Sequence, residues 1–80
     1  MNKYEELACD IASLFTQCYD VRLSKKALEK LAGYAETYTK EEMVEALRIA
    51  YRQYDYPVEA FIKYGGILYN RKKAQNEYFE

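Results

Sequence analysis

Histidine is absent from this 80-residue chain, and that alone removes most familiar catalytic arrangements. The two serines, Ser13 and Ser24, have no imidazole to take a proton, so a serine nucleophile lacks its usual base. Cys9 and Cys18 stand nine positions apart in what reads as one helix. That spacing puts them on opposite sides of the helix and about 13 Å apart along its axis, whereas a disulfide needs Cα atoms within about 7 Å. With no CxxC pair, zinc has no ligand set, and the thiols read as small, buried or half-buried side chains. Glu41, Glu42 and Glu45 fall at a helix start, where capping accounts for them, while paired-acid catalysis needs carboxylates in an apolar pocket. Gly65-Gly66 follows no strand and makes no phosphate loop. The chain reads as a non-enzyme with no catalytic residue, metal or cofactor.

Cations and rings offer a different chemistry. Lys63-Tyr64, Tyr69, Arg71-Lys72-Lys73 and Tyr78 interleave positive charge with aromatic faces. Flexible nucleic-acid strands are held this way, with rings stacking on bases while lysine and arginine follow phosphates. Arg48 and Arg52 extend the set. The charge is uneven in the same sense: residues 1–47 carry six basic and nine acidic side chains, and residues 48–80 carry six basic and four acidic. A polyanion would therefore meet the C-terminal half. The competing reading packs Tyr64 and Tyr69 in the core and leaves the basic run to solvate a helix end and oppose its dipole. Ten tyrosines in a chain this short also suit a protein interface, since the ring offers wide apolar area and the hydroxyl a polar handle. Tyr4, Tyr51, Tyr54 and Tyr56 are candidates for that role.

These side chains must be positioned by helices. Half the residues are hydrophobic, yet there are only three glycines and one proline, too few turn formers for an all-β domain. Leu7, Ile11, Leu14, Phe15 and Cys18 draw one apolar stripe on a first helix from about Asn2 to Tyr19. Ser24 caps a second helix, with Ala27, Leu28, Leu31, Ala35 and Tyr38 inward and an end near Thr37. Gly33 inside it suggests a close helix contact. Thr39-Lys40-Glu41-Glu42 is a capping box opening a third helix, with Met43, Ala46, Leu47, Ala50 and Tyr54 inward. Pro57 starts a fourth helix, whose buried stripe is read as Val58, Phe61, Ile62, Gly65, Leu68 and Tyr69. The expected fold is an all-α, compact four-helix bundle over residues 1–73, with 74–80 as a helical extension or tail. No apolar run spans a membrane. The charged start Lys3-Tyr4-Glu5-Glu6 is unlike a secretion signal, which points to the cytoplasm.

The order of these signals resembles a known family. Leu23-Ser24 opens a helix, Glu42-Met43-Val44-Glu45-Ala46-Leu47-Arg48-Ile49-Ala50 follows, and Phe61-Ile62-Lys63-Tyr64-Gly65-Gly66-Ile67-Leu68-Tyr69-Asn70 closes the pattern. Over roughly residues 11–73 this resembles the C-terminal helical domain of the bacterial and phage DnaD/DnaB-type primosome proteins. In that family a closing helix with a tyrosine, isoleucine and tryptophan signature is implicated in DNA binding. Ile67 stands at the signature's isoleucine, Lys63 where the tyrosine belongs, and Arg71 in place of the tryptophan. The resemblance implies a non-catalytic replication module of phage or mobile-element type that contacts single- or double-stranded DNA, or a replication protein, through Lys63, Tyr64, Tyr69, Arg71, Lys72 and Lys73. The alternative is a protein-interaction or modulator module with no DNA role, of which a homo-oligomer is one version.

Overall fold

A computed structural model describes residues 2–79, and side-chain surroundings through residue 74. Its elements are four helices: α1 (Lys3–Tyr19), α2 (Lys25–Ala35), α3 (Lys40–Gln53) and α4 (Pro57–Phe79). The all-α expectation holds, and each helix start follows from a local signal. Asn2 caps α1 by accepting the Glu5 amide at 2.9 Å, with Glu5 and Glu6 in the first turn where they favour the dipole. Ser24 accepts the Ala27 amide at 3.2 Å and starts α2. At Thr39 the capping box is complete: its hydroxyl accepts the Glu42 amide at 3.2 Å, and the Glu42 carboxylate accepts the Thr39 amide at 2.8 Å. Pro57 takes the first helical position of α4, where its missing N–H is no loss.

The ends are equally local. Asp20 turns into the left-handed region at φ 56° and returns its amide to the Thr16 carbonyl, closing α1. α2 ends at Ala35, two residues short of Thr37, where Glu36 and Thr37 donate to the Gly33 and Tyr34 carbonyls three residues back and tighten the last turn. Tyr54 ends α3 in extended backbone, as the approach to Pro57 requires.

α1 packs on α2, and α3 packs on α4 as a second hairpin. The core between them is Ala8, Ile11 and Phe15 from α1, Leu31 and Ala35 from α2, Met43, Ala46, Leu47 and Ala50 from α3, and Ala60, Tyr64 and Leu68 from α4. Phe15 is its hub, with ring centroids 5.4 Å from Tyr64, 5.7 Å from Phe61 and 6.2 Å from Tyr19. From Tyr64 the rings continue to Tyr34 at 6.0 Å and Tyr38 at 6.4 Å. The Tyr19 hydroxyl donates to the Tyr54 carbonyl at 2.8 Å, tying the end of α1 to the turn before α4. Four of the nine tyrosines whose surroundings are described, Tyr19, Tyr34, Tyr38 and Tyr64, are thus structural rings rather than surface.

Three expectations are corrected here. Val58, Ile62 and Tyr69 are not core; α4 instead buries Ala60, Tyr64 and Leu68. Gly33 is exposed, and a Cβ added there would meet nothing within 4 Å, so it marks no close contact. Cys9 is exposed and only Cys18 is half-buried.

Candidate functional site

α4 carries the residues on which the functional reading depends. At about 100° per residue, Ala60, Tyr64 and Leu68 fall within one arc of about 80°. Val58, Ile62, Gly66 and Tyr69 fall within a second arc of similar width on the far side. The first arc faces the core. The second faces solvent: Val58 is 72%, Ile62 69% and Tyr69 60% exposed. Two apolar faces on one helix explain the misreading of its stripe, since apolar periodicity cannot choose between them. What decides is the chemistry of the buried face. Tyr64 suits it because the hydroxyl donates to the Met43 carbonyl at 2.7 Å, so the ring is buried with no unmet polar atom. Gly65 suits it because a Cβ there would press into the Tyr34 hydroxyl and sit 3.1 Å from that ring's Cζ. The available signal was that Ala60, Tyr64 and Leu68 share four-residue spacing, as good a stripe as the one chosen.

The residues nominated as a DNA contact do not converge. Tyr64 is 0% exposed and presents no ring face to a base, so its assignment as a stacking residue is corrected to a core role. Burial, with Tyr34 adding to it, pushes its phenol far above the ordinary tyrosine range. Lys72 is turned back on its own molecule: Nζ donates to the Thr37 carbonyl at 3.0 Å and lies 5.3 Å from the centre of the Tyr38 ring. It thereby serves an orphan carbonyl past the end of α2. Arg71 lines a cleft with Glu41, Glu42 and Leu68, where carboxylates would oppose a phosphate. Arg48 lies 3.8 Å from Glu45, and Arg52 is exposed near the other end of α3. Eleven residues separate Arg52 from Glu41, about 16 Å along the helix. Lys63, Tyr69 and Lys73 are exposed on α4. Tyr78 lies outside the residues whose side chains are described.

Tyr51 and Tyr56 are exposed as an interface reading expects, but Tyr4 and Tyr54 are half-buried. Tyr51 also packs edge-on against Tyr19 at 5.2 Å. A shallow groove between α1 and α2 is lined by Ala8, Cys9, Leu28 and Ala32, with Glu5, Lys25 and Glu29 at its rim. Among the described residues no group of three or more His, Cys, Asp or Glu side chains could hold a metal ion. No helix there is long and apolar enough to cross a membrane.

These features define a small all-α module with one uncovered apolar helix face. No family model, no curated protein and no solved structure matches the chain.

Proposed function

We propose that this chain is a non-catalytic interaction module, working in the cytoplasm, that docks a partner protein on the outer face of α4. The observation that carries this reading is the row Val58, Ile62 and Tyr69, exposed together while Ala60, Tyr64 and Leu68 of the same helix fill the core. Single exposed apolar residues are common on any protein, but several large ones aligned on one helix face mark a contact surface. Apolar and aromatic side chains at the centre with a polar rim are the usual composition of such a face. Val58 to Tyr69 spans eleven residues, about 16 Å of helix.

A replication-type role, with DNA as the partner, draws support from Lys63, Tyr69 and Lys73, which are exposed on the same helix. It receives less from Tyr64, Lys72, Arg71 and Arg48, which are buried, bonded internally or faced by carboxylates, and Arg52 is exposed on α3 rather than α4. The two readings part in one experiment. In-cell crosslinking with the wild-type chain and Ile62→Lys side by side should give a protein adduct that the variant loses, while Lys63→Ala leaves it in place. Titration against single- and double-stranded DNA at about 50 mM salt should show no binding. Affinity for DNA that falls steeply with salt and needs Lys63 and Lys73 would replace the protein-docking reading with the DNA one.

A further inference from the structure

We infer that the occupant of the outer α4 face is a second copy of this chain, paired antiparallel about a two-fold axis between Gly65 and Gly66. The inference rests on the docking reading and names its partner. Three observations lead to it. The face is self-complementary under that symmetry. Antiparallel pairing sets residue n against residue 131 − n, so Ile62 meets Tyr69 of the second copy and Val58 meets the aliphatic stem of Lys73. Each exposed apolar side chain thereby finds an apolar partner. Gly66 lies at the crossing point. It is exposed, and a Cβ there would meet nothing within 4 Å, so neither packing nor a turn inside the monomer accounts for it. Two helix backbones can approach closely only where side chains are this small.

Charge gives the direction. On the outer flank of α4, Glu59 stands near the start and Lys73 near the end, both exposed. Parallel pairing would set Glu59 against Glu59 and Lys73 against Lys73. Antiparallel pairing brings Glu59 beside Lys73 of the other copy, twice by symmetry, and also opposes the helix dipoles. An isologous contact of this kind closes as a dimer and does not propagate.

Sedimentation of the full chain from low to high micromolar concentration tests the pairing. The wild type should pass from monomer to dimer. Ile62→Lys should weaken the dimer by at least about tenfold, since it buries an uncompensated charge. Glu59→Lys and Lys73→Glu should each weaken it roughly threefold to tenfold, and the double exchange should recover most of that loss. Circular dichroism verifies that every variant stays helical, which their exposure favours. A chain that stays monomeric, or a dimer indifferent to Ile62→Lys, overturns the self-pairing; a double exchange no better than the singles overturns the antiparallel register. A monomeric chain that still gives an Ile62-dependent crosslink to a different polypeptide refutes the second-copy partner alone. Loss of every Ile62-dependent crosslink refutes the docking reading with it.

Discussion

Tyr64 shows how one side chain can serve two readings that differ only in where its ring goes. In sequence it sits beside Lys63 and ahead of a basic run, the right neighbours for a base-stacking residue. In the fold its ring fills the centre of the core and its hydroxyl reaches the Met43 carbonyl. Tyr64→Phe keeps the ring and removes that bond, so it should cost about 1 kcal/mol in urea unfolding. Tyr64→Ala leaves a cavity and should cost about 3–5 kcal/mol. Alkaline pH offers an independent check. Burial favours the neutral phenol, so the folded-state pKa lies above the unfolded value of about 10. Tyr64's contribution is whole below that value and shrinks as pH rises past it, because the unfolded chain then releases a proton that the folded chain keeps. Tyr19 and Tyr38 are shifted the same way, chiefly by burial. Stability should therefore fall above about pH 10, and Tyr64→Phe should make the fall shallower without abolishing it. An equal fall in both proteins would remove Tyr64 from that account. Lys72 belongs at this scale too. It was legible as a cation but not as a brace, since its partners Thr37 and Tyr38 lie a whole hairpin away in sequence.

Capping grammar and apolar period settled most elements, and α4 shows where they stop. Asn2, Ser24, Thr39 and Pro57 each announce a helix start within a few residues, so the four helices could be read locally. The inward faces of α1 and α3 could be read as well, because each helix has one apolar side: Ile11 and Phe15, then Met43, Ala46, Leu47 and Ala50, are buried as their spacing implies. α4 has two such sides, and its orientation is set by partners on other helices that no local pattern contains. The adjacent glycines divide along this line. Gly65 faces Tyr34, whose ring is held between Tyr64 and Tyr38, while Gly66 faces open space. Alanine is the better helix former by about 1 kcal/mol, so Gly66→Ala should stabilise the dilute chain by up to that amount. Gly65→Ala should lose that gain and more, because Tyr34 must leave its place among the rings. Thermal melts of the two variants at low concentration should move in opposite directions. Movement in the same direction would mean that α4 is rotated from the orientation described.

At the scale of the whole molecule, a thin shape connects the small core to the uncovered face. The Cα envelope measures 39 × 31 × 17 Å, and its radius of gyration is 12.3 Å, slightly above the roughly 11.6 Å of a compact chain this long. α4 contributes to the difference: its 23 residues run about 35 Å, against about 21 Å for the 14 residues of α3. Its last turns therefore continue past the hairpin partner. A domain of this size buries only about 60% of its unfolded surface, and covering one more apolar helix face would add appreciably to its stabilising area. Folding and docking are then linked. If the second copy covers that face, dimer formation favours the native state by mass action, and the melting temperature must rise with chain concentration. A hundredfold change in concentration should move the wild-type midpoint by several degrees, because a shift of 1 kcal/mol corresponds to about 4–8 °C in a domain this small. Ile62→Lys, with its weaker dimer, should shift clearly less across the same range. A wild-type midpoint that ignores concentration would mean that no second copy covers the outer face of α4 and that this face contributes nothing to the stability of the isolated chain.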